Sequence, residues 1–171
     1  MAVTTPEDLF LNILSRMHQA EQRQARLAEE LSQYAHNPMV KEALEVRAYL
    51  GKQEAANVEE CFKLLSEQPR TITPTRFEEV LTEDFRRELD NIQSPVLKGL
   101  YALSTVRWIQ DLHIGEYKTL IVMARLAEQW GVAGLLERNL ANKLVFAERT
   151  DEIVREVGKA IFAHWAMAKA A

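Results

Sequence analysis

Glu21 interrupts an otherwise apolar helical stripe of Leu14, Met17, Gln24, Ala28 and Leu31, and the matching height of three further helices is interrupted as well. Arg47 stands among Val40, Leu44 and Gly51; Gln110 and His113 stand among Leu103, Val106, Tyr117 and Leu120; Lys143 stands between Leu140 and Ala147. Glu54, one stripe position beyond Gly51, adds a second carboxylate. Burying charge is costly unless it is compensated, so a polar layer at one height in several helices is holding something. Two chemistries fit these residue types. Converging carboxylates and an imidazole are the donors of a divalent metal centre, whereas carboxylates facing Arg47 and Lys143 are the parts of a buried salt-bridge network.

Positioning such a layer requires long helices, and the chain signals their ends. Thr5 followed by Pro6, Glu7 and Asp8 is a capping hydroxyl, a proline at the first helical position and acids in the first turn. A helix from there to about residue 34 follows, and Asn37 with Pro38 starts a second that runs to about residue 65. The connection is short, which makes the two antiparallel neighbours. Residues 66–75, with Pro69 and Pro74, precede a short helix over about 77–89 and a third start at Ser94 and Pro95. That stretch is too long for a turn and too patterned for a disordered linker, so it reads as a crossover along the bundle. A third long helix extends to about Gln129, with Gly131 as its C-terminal cap. Gly99 and Gly115 inside it suggest close helix approach. The fourth begins near Val132 and reaches about Arg149; Thr150, Asp151 and Glu152 then signal a further helical segment to about residue 169. The amphipathic face of this extension, Ile153, Val157, Ile161, Phe162 and Trp165, needs apolar surface on the bundle or on another subunit.

At 171 residues the chain suits one domain, a core bundle over about 5–150 with an extension over about 151–170. Hydrophobic residues make up 47% against 27% charged, with 6 Gly and 5 Pro, which excludes both disorder and a turn-rich β fold. A net charge of −4, with 21 Lys and Arg scattered among 25 acids, excludes a nucleic-acid surface. No stretch has the length and apolarity of a membrane span, and the N-terminus lacks a signal-peptide pattern, so a cytoplasmic location is expected. Cys61 is a single cysteine and reads as a small buried hydrophobe. Trp108, Trp130 and Trp165 suit core or interface packing better than a cofactor stack. No nucleophile elbow or phosphate-cradling loop is present.

Four long helices with one extended crossover between the second and third describe an all-α ferritin-like bundle. Within that frame the chain resembles the YciE/YciF family of small bacterial ferritin-like proteins of stress-response operons. The resemblance spans about residues 7–155 and rests on Ala20-Glu21-Gln22, on the run from Val58 to Leu65, and on Ile114-Gly115-Glu116-Tyr117-Lys118-Thr119-Leu120. It implies a dinuclear metal site in which Glu21 matches the first-helix glutamate. It also implies a histidine and a glutamate on the second helix, where Arg47 and Leu50 stand; glutamates three apart on the third, where Gln110 and His113 stand; and glutamates on the fourth, where Ala141, Asn142 and Lys143 stand. A homodimer is implied too.

The expectation is therefore a non-enzymatic, stress-associated structural protein whose metal site has degenerated into an ion-paired layer of Glu21, Arg47, Gln110, His113 and Lys143, without a cofactor. An Arg47 or Lys143 nitrogen should then reach Glu21. The alternative is a metal-binding stress protein or oxidoreductase holding iron, manganese or zinc on Glu21, Glu54 and His113. A third reading is an adaptor that binds another protein through the crossover at about 70–89.

Overall fold

The structure is a computed structural model that describes residues 3–73 and 76–168, with the backbone alone described at 76–82 and at several positions from 160 onward. Pro74 and the expected helix end near residue 169 lie outside the described residues. Among the described residues five helices follow one another: α1 (Pro6–Ser32), α2 (Pro38–Leu64), α3 (Arg76–Asn91), α4 (Pro95–Leu126) and α5 (Trp130–Ala168). The start signals work as their chemistry dictates. Thr5 Oγ1 accepts from the Asp8 amide at 3.0 Å, Asn37 Oδ1 from the Met39 and Val40 amides at 3.0 and 3.3 Å, and Ser94 Oγ from the Leu97 amide at 3.5 Å.

The stop signals differ from the sequence expectation. α4 ends at Leu126, and the residue that turns the chain is Glu128 at φ 58°, not Gly131, which lies inside α5. The Gln129 amide donates to the Ala124 carbonyl at 2.9 Å and the Glu128 amide to the Arg125 carbonyl at 3.0 Å, closing the last turn around a left-handed residue. α2 ends the same way at Ser66, φ 57°. Gly131 is instead used for packing, beside Leu64. Because an L side chain is disfavoured at this φ, Glu128→Gly is expected to stabilise the protein by about 1 kcal/mol, read as a higher denaturant midpoint at unchanged m.

α1 packs on α2 and α4, and α5 packs on α4 and α2. Gly99, near the start of α4, lies beside Ala35 and Val40 near the start of α2, so α2 and α4 run parallel and the connection between them must travel the length of the bundle. It does so along α1. The Arg70 guanidinium pairs with Asp8 at 3.0 Å and the Arg70 amide donates to Ser15 Oγ at 2.9 Å. Further on, Arg86 pairs with Glu30 at 2.8 Å, and the Tyr101 hydroxyl donates to Glu88 at 2.6 Å.

Of the glycines, Gly51 marks the closest helix approach, where an added Cβ would lie 2.9 Å from Ala25 Cβ. Gly115, expected to mark such an approach, has open space beside it. The glycine that matters is therefore the one next to the polar layer, since the same Cβ would sit 3.4 Å from the Arg47 guanidinium.

α5 passes through Thr150, Asp151 and Glu152 without a break. The apolar progression Phe146, Ala147, Ile153, Val157 keeps its phase across that point, and burial of Ile153 outweighs the local start signal. Val157 and Ile161 pack against the chain's own core, while Phe162 stays exposed. Cys61 is buried as expected. None of the three tryptophans is in the core: Trp108, Trp130 and Trp165 are 40%, 65% and 59% exposed.

The core has two apolar compartments. One gathers Leu27, Leu31, Leu44, Leu103, Phe146 and Ile153; the other gathers Leu14, Met17, Val58, Phe62, Leu120 and Leu136. Glu21 and Gln24 on α1, Glu54 on α2, Gln110 and His113 on α4, and Asn139 and Lys143 on α5 fall between the two along their helices.

Candidate functional site: a buried ion quartet between two apolar compartments

Four charged side chains from three helices meet in this layer, each with 0% relative exposure: Glu21 from α1, Arg47 and Glu54 from α2, and Lys143 from α5. Arg47 and Glu54 are seven residues apart, two turns along one face, and the guanidinium forks onto the carboxylate. Nη1 donates to Oε1 at 3.1 Å and Nη2 pairs with Oε2. Lys143 Nζ sits between the two acids, 2.8 and 3.0 Å from the oxygens of Glu21 and 2.9 Å from Glu54 Oε2. Arg47 Nη2 is 3.6 Å from Glu21 Oε2, so both cations are within ion-pair reach of Glu21 and Lys143 is the nearer. Two carboxylates face two cations.

Further polar groups complete the shell. His113 Nδ1 lies 3.5 Å from Glu21 Oε1. Gln24 Nε2 donates to Gln110 Oε1 at 3.2 Å, and Gln110 Nε2 donates to the Lys143 carbonyl at 3.3 Å, tying α1, α4 and α5 together at this height. Asn139 Nδ2 donates to the Tyr117 hydroxyl and to the Glu54 carbonyl, both at 3.0 Å, while its Oδ1 accepts from Asn57 at 2.6 Å. The aromatic rings add to cation stabilisation, with Lys143 Nζ 5.4 Å from the Tyr117 centroid and Arg47 Cζ 5.8 Å from that of Phe146.

The two acids respond differently to one environment. Burial works to raise the pKa of Glu21, but Lys143, His113 and Arg47 outweigh it and hold the carboxyl well below its ordinary 4.5. Glu54 is raised, because burial and the neighbouring Glu21 charge exceed the opposing pull of Lys143 and Arg47. Burial, with both carboxylates nearby, pushes the Tyr117 phenol far above its usual range, and burial pushes the Cys61 thiol up to about 12, which makes it inert.

The donor set does not fit a divalent cation. Ligand carboxylates must converge with open lone pairs and no competing cation among them. Here an ammonium occupies the point where Glu21 and Glu54 converge, and a guanidinium closes the far side of Glu54. Among the described residues, no group of three or more His, Cys, Asp or Glu side chains is placed to hold a metal ion.

Glu21, Arg47, Glu54, Gln110, His113 and Lys143 are thus brought into one layer, while Leu50, at the other matched position of α2, is half-buried outside it. Two participants were not legible as such. Tyr117 reads as part of an apolar stripe, and Asn139 is not singled out by the sequence reading. The signal for Asn139 was present in the progression Leu136, Asn139, Lys143, Phe146, which steps by three and four along one face.

A protein-family model described as a domain of unknown function, DUF892, matches residues 5–162. No curated protein sequence matches the chain. Among solved structures, the E. coli stress protein YciF superposes with a TM-score of 0.82 at 18% identity, covering 91% of this chain and 99% of YciF. YcfI from Rhodopseudomonas palustris superposes at 0.81 and 18% identity, covering 87% and 94%. A protein from Xanthomonas campestris superposes at 0.72 and 20% identity, covering 98% and 100%. These three share the ferritin-like fold with this chain.

Proposed function

The chain belongs to the DUF892 family, and from that premise we propose that it is a non-enzymatic, stress-associated ferritin-like protein whose bundle is held at mid-height by protein cations where the fold would hold metal ions. The observation that carries the proposal is the position of Lys143 Nζ, within 3.0 Å of Glu21 and 2.9 Å of Glu54. A lysine so placed neutralises both carboxylates without a metal. The role is structural: the layer fixes how four helices meet.

Among the described residues, no helix is long and apolar enough to cross a membrane. We place the protein in the bacterial cytoplasm as a homodimer, the exposed Phe162 and Trp165 of the C-terminal part of α5 supplying apolar surface to cover.

Elemental analysis of protein purified without chelator tests the central point. Iron, manganese and zinc are expected well below one equivalent per chain after dialysis. A full equivalent of any of them, lost on substitution of Glu21 or His113, would establish the alternative of a metal-binding stress protein on Glu21, Glu54 and His113.

A further inference from the structure

The outward face of α4 carries a pattern that the bundle does not use. Trp108, Leu112, Gly115, Thr119, Val122 and Leu126 follow one another at spacings of four, three, four, three and four, which keeps them on one stripe about 27 Å long. All six are exposed, Leu112, Val122 and Leu126 by 44%, 56% and 81%. An outer helix face that meets only water is ordinarily polar and charged. None of these six is charged, in a chain with 27% charged residues. Gly115 weakens the helix at the centre of the stripe, and nothing among the described residues uses the room it makes, since an added Cβ would meet nothing within 4 Å. Such room serves a helix that comes from outside.

The spacing reads the same in both directions. A two-fold axis between Gly115 and Thr119 therefore lays the stripe on itself with the helices antiparallel: Leu112 meets Val122 of the second copy, Trp108 meets Leu126, and Gly115 meets Thr119. Small residues at the centre let the two backbones approach, and the larger side chains meet towards the ends.

The flanks select that orientation. Asp111 and Arg125 lie on the α5 side of the stripe, where Arg125 pairs with Glu137 at 2.7 Å. In the antiparallel pair Asp111 stands across from Arg125 of the second copy, and the half-buried Ile109, on the other flank, across from Met123. Glu116 approaches its own copy near the axis but is already held by α1, Arg16 Nε donating to it at 3.0 Å. Lys118 also approaches its copy, at the rim, where a long side chain turns its ammonium to water. A parallel pair would instead set Asp111 against Glu116 and glycine against glycine, a like-charge contact beside a void.

We propose that the outer stripe of α4 is a contact face of the homodimer, two α4 helices crossing antiparallel about an axis between Gly115 and Thr119. This rests on the homodimer reading above and gives it a face whose pattern names its own occupant.

Light scattering of the full chain during gel filtration, over a range of concentrations, tests it. Val122→Glu, at an exposed position that leaves the core untouched, should raise the dimer Kd by about a hundredfold or more. Val145→Glu, on α5 and 66% exposed, should leave it unchanged. A short bismaleimide should join two chains carrying Leu112→Cys and Val122→Cys together, but not chains carrying Leu112→Cys alone, because the two copies of residue 112 lie about 15 Å apart along the helices. The buried Cys61, its thiol pushed up to about 12, does not compete. A dimer that survives Val122→Glu, no cross-link in the double variant, or efficient cross-linking through residue 112 alone would each overturn the proposal. If the surviving dimer is lost in Trp165→Glu, the homodimer reading stands on the tail instead; a wild type that is monomeric at every concentration removes both.

Discussion

Replacing Lys143 with methionine is expected to destabilise the protein by about 3–5 kcal/mol. The substitution conserves volume, so little of that loss comes from packing. It comes from Glu21, whose near partner at 2.8–3.0 Å disappears while Arg47, at 3.6 Å, remains committed to its fork on Glu54. A fully buried carboxylate is left undercompensated and must take up a proton or draw in water. Denaturant titration at neutral pH measures the loss. A change below about 1 kcal/mol would show that Arg47 alone suffices for both acids.

Removing all four charges together should have the opposite sign. Glu21→Leu, Arg47→Met, Glu54→Leu and Lys143→Met in one chain exchange the quartet for apolar groups of similar size. Such exchanges are neutral or stabilising by about 1–4 kcal/mol, since each ion's desolvation cost vanishes with its attraction. Tyr117 keeps Asn139 as a partner, and Gln24 and Gln110 keep each other, so few polar groups are orphaned. The pH dependence separates the two proteins as well. Glu21 has a folded pKa well below its ordinary 4.5, so the stability it contributes is fully present above that value and is lost as pH falls through the depressed one. Glu54, raised, acts in the opposite direction and regains a little stability on protonation, but the Glu21 shift is the larger. Wild-type stability should therefore fall on acidification below about 4.5, and the fourfold variant should fall less steeply, keeping only the part that carboxyls outside the quartet contribute, such as Asp8 and Glu30, held low by Arg70 and Arg86. Thermal melts from pH 7 to pH 3 measure both; a parallel decline in the two proteins would refute the assignment to the quartet.

The helices and the layer were legible because both are written in local pattern. Thr5-Pro6, Asn37-Pro38 and Ser94-Pro95 are side chains acting on amides a few residues away, and Glu21, Arg47, Gln110, His113 and Lys143 each break a stripe of period 3.6. What was not legible depends on the third dimension. Gly131 looked like a cap because glycine favours left-handed backbone, yet the helix end was set by the closure of Ala124 on Gln129, and Glu128 accepted the strain. Thr150-Asp151-Glu152 looked like a helix start because nothing local records that Ile153 is buried in the same phase as Phe146. The partner choice within the layer, Lys143 on Glu21 and Arg47 on Glu54, depends on differences of less than an ångström between helices and has no one-dimensional signature.

The order in which the chain leaves the ribosome gives the quartet a temporal meaning. α1 and α2 emerge first and pair as a hairpin, bringing together Glu21, Glu54 and Arg47, two negative charges against one positive. That hairpin cannot dry its centre without stranding a carboxylate, so water stays in the seam while α3 and α4 are made. The missing positive charge is Lys143, about a third of the way along α5, which is made after the other four helices. Only when α5 docks can the interior close. Synthesis proceeds from the N-terminus, so an incomplete chain is kept hydrated and unlocked, and the final helix carries the key that converts a loose assembly into a cooperative fold.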